Sequence, residues 1–313
     1  MPEPANSYAK LPSQQQTFYD RVLLERILKE LVFLQHGQKN DKKSIPKNHG
    51  DTANWRKFNS LPIPTQPLVS GVTPAGKNLS ISQITATVKQ EGDFVLLTDF
   101  LDLVGYDPVI TETTELISEQ SAETLETRVR DIIFNGTNVY YVGGGPDRIN
   151  VAAGDTFTGL EVRRARQIMA RNSIKMVEGN AYLGFIHPDG AFDLKGDTEW
   201  REPNTYADPK NIFNGEIGKL YGVRWIESVM CPIWQGEGAA GADVYGALIL
   251  GRGSYGVVDI AGSSTPEIIV KQKGSAGSAD PLDQRSTVGW KAVMTAVRLN
   301  ELSLMRIEHG SSL

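Results

Sequence analysis

LPIPTQPLVSGVTPAGKNLSISQITATVKQEGDFVLLTD, residues 61–99, runs straight into an acid-rich helical stretch that ends at Phe134, and this junction decides the fold. The first part alternates like a strand and carries turn residues, but has little to bury against itself. An isolated two-stranded hairpin is marginal in water, and compact domains rarely hold a connection this long. Such an arm is physically sensible when another copy of the protein covers it. The chain therefore reads as an assembly protein, not as an enzyme built around a pocket.

Within the arm, Leu79 and Ile81 place apolar side chains on odd positions, whereas Ile84, Ala86 and Val88 place them on even ones. A regular strand does not change parity while keeping one face buried, so the pattern predicts a β-bulge or sharp twist near Ser82–Gln83. Pro74-Ala75-Gly76-Lys77 is the expected reversal, with further bends at Gly71 and Gly92. Phe94–Leu97 should rejoin the core.

Asp107-Pro108 then opens a helix. Asp is a favoured N-cap, and Pro suits the first helical position because its missing N–H would be unpaired there anyway. Asn135-Gly136 supplies the stop, which gives a helix over 107–134 of about 40 Å. Its acidic residues outnumber Arg128 and Arg130, both near the C-terminal end, as the helix dipole favours. Apolar residues cluster at its two ends and the middle, Ser118–Thr124, is small and polar. That distribution predicts a helix that spans a domain instead of filling its centre.

The remainder mixes helices and strands without a regular alternation, so the class is α+β. Helices are expected at Phe18–Phe33 and Leu160–Asn172, and Gln35–Asn54 reads as a polar connector. Strands are expected at Tyr182–Ile186, around Gly222, at Ala247–Leu250 and Gly256–Ile260, and through Glu267–Lys273 and Ser286–Ile307. The run Gly274–Ser278 reads as flexible.

At 313 residues, with 40% hydrophobic and 22% charged residues, the chain can bury a substantial core. No run approaches the about eighteen apolar residues of a membrane span, and the N-terminus has no secretory apolar core, so folding in the cytoplasm is expected. The net charge of −5 is uneven: residues 1–60 carry +4 and the rest −9. Lys39, Lys42, Lys43 and Lys47 form a basic cluster. No aromatic residue interleaves them, so a solvated loop is favoured over a nucleic-acid contact.

Candidate chemistry is sparse. Gly251-Arg252-Gly253-Ser254-Tyr255-Gly256 has the spacing of a dinucleotide loop, but that motif must open a helix, and Val257–Ile260 reads as a strand. Cys231 is the single cysteine and lies in an apolar run, which favours an inert buried thiol over a nucleophile. His36, His49, His187 and His309 show no metal spacing, and His187-Pro188-Asp189 reads as a cap. Neither catalytic nor cofactor nor metal residues are assigned. Glu112, Glu115, Glu119 and Glu123 form an acidic helix face suited to a subunit contact, and Val72, Lys77, Leu79, Ile81 and Ile84 are the matching candidates on the arm.

An ordered set of segments resembles the major capsid proteins of tailed bacteriophages, in particular the family typified by the coat protein of coliphage N-four, with the fold of Hong Kong phage ninety-seven. The set comprises Pro46-Lys47-Asn48, Trp55–Pro62, Gly71-Val72-Thr73-Pro74, Lys89–Phe94, the helix ending at Asn135-Gly136-Thr137, Gly215–Gly218, Asp280-Pro281-Leu282 and Val288–Ala292. The resemblance implies an N-terminal arm (1–54), an extended β-hairpin loop (55–100) and a peripheral domain with a long spine helix (101–140 and 255–313). It also implies an axial domain (141–254). The loop would cover a neighbour's spine helix. Copies would form hexamers and pentamers of an icosahedral virion capsid, assembled in the bacterial host cytoplasm around double-stranded DNA held without sequence specificity. Portal and scaffold proteins would be partners, with decoration proteins as a further option, and scaffolding would come from a separate protein or another device because no large scaffolding region precedes the arm. A nanocompartment shell of the same fold, and a nucleotide-dependent enzyme built on Gly251–Gly256, are the alternative readings.

Overall fold

The computed structural model describes residues 32–40, 42–67, 70–71, 73, 75–99, 109–177, 179–197, 216–275 and 280–313. The expected helix at 18–31, Val72, Pro74, the Asp107-Pro108 cap, Gly215 and residues 276–278 lie outside them.

The longest strand, β13 (Arg285–Arg298), organises one sheet. Its even positions Val288, Trp290, Ala292, Met294 and Ala296 are buried, the period-2 pattern of a strand with one face on a core. One edge pairs antiparallel with β4 (Lys89–Thr98). It also pairs antiparallel with β11 (Tyr255–Ile260) and β12 (Glu267–Lys271). A short strand, β1 (Lys42–Ile45), adds parallel to β11 and makes this sheet five-stranded.

β1 corrects the expected polar connector. Residues 35–40 belong to α1 (Val32–Asn40), and β1 follows. Ile45 is buried, and Lys42 Nζ lies 2.9 Å from a carboxylate oxygen of the buried Asp259. Lys43 sits 4.2 Å from the centre of the Trp55 ring and donates to the Asn54 carbonyl. Two of the four clustered lysines are thus held by the fold instead of being free in a loop.

The buried face of β13 meets α2 (Val109–Phe134). Its buried residues form one unbroken stripe, from Thr113 and Thr114 through Ile117, Ser118, Ser121, Ala122, Leu125 and Glu126 to Val129 and Ile133. The polar middle is therefore packed, contrary to the expectation of a spanning segment. Small side chains are what let a broad sheet lie close to a helix. Ser121 satisfies its hydroxyl on the Ser118 carbonyl, and Gln120 accepts from the Trp290 indole while donating to Asp93. At the C-terminal end the guanidinium groups of Arg298 and Arg306 donate to the Ile132 and Phe134 carbonyls, satisfying acceptors that a helix end leaves open.

A second sheet has seven strands in the order β5-β14-β10-β6-β8-β7, with β9 (Ile233–Trp234) also on β10. These are β5 (Val139–Tyr141), β6 (Tyr182–Ile186), β7 (Glu216–Leu220), β8 (Val223–Glu227), β10 (Val244–Leu250) and β14 (Leu304–His309). β10 is buried along its whole length because both faces are covered. Ala247 and Ile249 share a core with α3 (Gly159–Arg171) and α4 (Pro188–Gly196). Leu248 and Leu250 turn the other way, into the core of α2. The long helix thus ties the two sheets together. Gly184 lets the Trp225 ring lie against β6, since a Cβ there would fall 2.4 Å from a ring carbon.

Among the described residues no helix is long and apolar enough to cross a membrane.

Candidate assembly surface

The arm begins with β2 (Thr52–Phe58), which pairs antiparallel with β3 (Ile81–Thr87). Ala53 faces Ala86 and Trp55 faces Ile84 across the ladder. Ala53, Ala86 and Val88 are buried with Ile45 and Val258 in a small core that also takes up Trp55, Val293 and Val297. The register is unbroken from Phe58↔Ile81 to Thr52↔Thr87, so the bulge expected near Ser82–Gln83 does not form. The parity change has a different cause. Ile81 obeys the strand's alternation and points away from the small core, 54% exposed, as does Phe58 opposite it at 64%.

Beyond the ladder the two arms of the loop stay side by side. Asn59 and Ser80 are joined through backbone and side chains, Ser82 donates to Asn59, and Lys77 Nζ donates to the Pro62 carbonyl at 2.9 Å. Leu61, Ile63 and Leu79 are exposed along this extension, Ile63 at 86%. With Phe58 and Ile81 they make five large apolar side chains offered to solvent on one projecting element, the kind of surface that marks a protein interface. Of the sequence candidates, Lys77, Leu79 and Ile81 lie here and are exposed, Ile84 is half-buried opposite Trp55, and Val72 is outside the described residues. Residues 52–90 contain Arg56, Lys57, Lys77 and Lys89 and no acidic residue.

The outer face of α2 has the opposite sign. Glu112, Glu115, Glu119 and Glu123 are all exposed because the stripe of buried residues fixes the helix's rotation. Leu116 lies among them, 64% exposed. An acidic rim around one apolar residue complements a basic arm that carries apolar side chains.

Sequence reasoning missed Phe58, Leu61, Ile63 and Leu116 as surface candidates, and the expectation that Phe94–Leu97 rejoins the core holds for Leu97 alone: Val95 is exposed, and Phe94 and Leu96 are exposed on the face of β4 turned away from α2. The parity break was the available signal. It marked apolar residues for which the chain itself has no core.

The other candidate chemistry resolves into structure. β11 follows the turn at Gly253, so the glycine pattern at 251–256 joins two strands and opens no helix. Cys231 is buried, and burial pushes its thiol well above the ordinary range. The His187 imidazole accepts the N–H of Asp189 as the cap of α4, with Pro188 following it. A recess of 640 Å³ beside α3 holds Glu161, whose carboxylate accepts from Tyr140 at 2.5 Å and from Arg164 at 2.9 Å.

A family model described as phage capsid protein matches residues 82–304, more than half of the chain. The chain belongs to the phage capsid protein family. Capsid proteins of this family form the shell of the virion from many copies, and that is the function of this chain. Among solved structures, this capsid protein is similar to the cyanophage Pam1 capsid asymmetric unit, with a TM-score of 0.68 at 18% identity, covering 85% of this chain and 86% of that one. The capsid of Ralstonia phage GP4 gives 0.65 at 13% identity, covering 87% of each. The holo-SrpI encapsulin complex from Synechococcus elongatus gives 0.51 at 9% identity, covering 87% and 85%. These likenesses are of fold, and that fold is the one expected for the α+β class above. No curated protein matches the capsid protein in sequence.

Proposed function

We propose that this chain is the major subunit of an icosahedral phage head, closing as hexamers and pentamers around double-stranded DNA in the bacterial cytoplasm. The observation that carries this reading is the stretch 52–90, free of acidic residues and with exposed Phe58, Leu61, Ile63, Leu79 and Ile81, on a chain of the capsid family. Residues 55–100 form the extended loop, and its partner is the outer face of α2 on a neighbouring copy, through Glu112, Glu115, Leu116, Glu119 and Glu123. Such a contact is heterologous, one patch against a different patch, the kind that builds a ring when the rotation between copies closes.

Residues 1–54 are the N-terminal arm. Residues 101–140 and 255–313, with α2 as the spine helix, are the peripheral domain, and 141–254 is the axial domain. Within the family the coliphage N-four group is the proposed placement, supported by the ordered segments from Pro46 to Ala292. Portal, scaffold and decoration proteins complete the particle, and the DNA is held without sequence specificity. The role is structural, without turnover.

Electron micrographs of the purified protein test this directly. Closed shells are expected from the full chain and none after deletion of residues 62–92, whereas a monomer indifferent to the deletion overturns the reading. The encapsulin likeness supports a second reading, a compartment around a cargo enzyme. Packaged nucleic acid in the particles favours the first, and a co-purifying enzyme the second.

A further inference from the structure

Glu126 lies in the middle of the buried stripe of α2, 2% exposed, and its carboxyl group faces the start of α1. The backbone N–H of Phe33 donates to Oε1 at 2.7 Å and that of Leu34 to Oε2 at 3.2 Å. A side chain 93 residues away thus accepts N–H groups at the described start of a short helix. The rest of the seat is tailored to α1. Tyr255 donates its hydroxyl to the Phe33 carbonyl at 2.6 Å, and the Phe33 ring packs edge-on against Phe185 and Phe134. Gly37 rests on β11 so closely that a Cβ would fall 2.6 Å from the Tyr255 ring and 2.8 Å from Val257. When α1 is seated, Glu126 loses water. When α1 lifts, it regains it.

We propose that α1 is a proton-linked latch, seated on α2 while Glu126 carries a proton and loosened when Glu126 ionises. Burial of the Glu126 carboxylate costs more than the Phe33, Leu34 and Val32 N–H groups return, so the covered carboxyl favours its proton.

The surrounding groups leave the titration to Glu126. Burial raises it from 4.5 to about 7, against the opposing pull of the Phe33, Leu34 and Val32 N–H groups and of the Arg130 charge. Arg130, one turn along, is itself engaged by the Met230 carbonyl and Asp131. From β11, Tyr255 is held neutral by burial and the nearby Glu126, and from the apolar loop Cys231 is held as a thiol by burial. His36 on α1 packs against Phe185, 5.6 Å between ring centres.

The sign follows from which state holds the proton more tightly. The covered carboxyl does, so seating takes up a proton. The gain is complete below the uncovered value of 4.5 and is lost as pH rises through about 7. That gap corresponds to about a 300-fold change in the seating equilibrium.

Hydrogen exchange of residues 32–40 in the full chain, corrected for intrinsic rates, tests this between about pH 5 and about pH 8. Protection should fall with rising pH by up to about 300-fold in the native chain. It should be pH-independent in Glu126→Gln. Tyr255→Phe should lower protection at every pH and keep the slope. A native chain without a slope, or a Glu126→Gln chain that retains one, overturns the latch. Gly37→Ala covers the case in which Glu126→Gln fails to fold. It forces α1 off its seat, and infrared titration should then find the Glu126 carboxyl near 4.5, whereas a value still near 7 overturns the proposal.

Discussion

Phe58 and Ile81 lie directly opposite each other across the β2–β3 ladder, and both turn outward, away from the small core beneath. A cross-strand apolar pair on the wet face adds little to the fold of one chain, because the pair has only itself to bury against. Its value comes from what covers it.

Replacing both residues by Ser should leave the fold nearly intact, within about 0.5 kcal/mol by urea unfolding. The same change should raise the concentration needed for assembly by at least tenfold, given about 1–2 kcal/mol per buried interface anchor. Light scattering on a dilution series reads this. Loss of unfolding stability without loss of assembly contradicts the surface assigned to the arm.

Charge reversal on α2 probes the complementary face. Glu115→Lys with Glu119→Lys should weaken assembly most at low salt and progressively less as ionic strength screens the contact. The isolated chain should lose no more than about 1 kcal/mol, because both side chains are exposed. Sedimentation across a salt series checks the direction.

Arg148 should matter to stability more than any exposed charge. Its guanidinium grips both oxygens of the fully buried Glu308 at 2.7 and 2.9 Å and stacks 3.7 Å from the centre of the Trp234 ring. Arg148→Ala removes both of these bonds, leaves Glu308 its 2.7 Å ion pair with Arg306, and should cost about 3–5 kcal/mol in denaturant unfolding.

His309 gives the second sheet an acid limit. Its Nδ1 is 2.7 Å from the Gly310 carbonyl, which fixes the proton there, and Nε2 is buried against Gly190 with no hydrogen-bond partner among the described residues. Burial, with a smaller contribution from His187, lowers the group from 6.5 to about 4 despite Gly310 and Asp193. The unfolded chain therefore binds a proton that the folded chain refuses. Stability should be level above 6.5 and fall by about 3 kcal/mol as pH drops to about 4. His309→Gln should abolish that slope in urea titrations. The slope is opposite to that of the α1 latch, so global unfolding and local release can be told apart.

The sequence made much of this chain legible where local chemistry and periodicity agree. Asn135-Gly136 ended α2 within a residue of its last helical turn, His187-Pro188 opened α4, and β10 and β11 fell either side of the Gly253 turn. It was less legible where a residue's partner is remote. Ser118 and Ser121 looked like the unpacked middle of a domain-spanning helix because small polar side chains carry no period, yet β13 needs them small. Lys42 looked like loop charge because Asp259 is 217 positions away.

By itself, the sequence determined that the arm has more apolar surface than its own fold can use, because the odd-to-even change at Ile81 and Ile84 cannot place both on one face. It also determined that α2 would show an acidic face, since glutamates three and four apart must share a side. Only the tertiary structure decided how the arm accommodates the conflict. Pairing with β2 holds the ladder in regular register, so Ile81 stays outside with Phe58 and no bulge absorbs it. Only the tertiary structure put the Glu126 carboxyl under Phe33, because the burial that raises it comes from elements that meet there from distant parts of the chain.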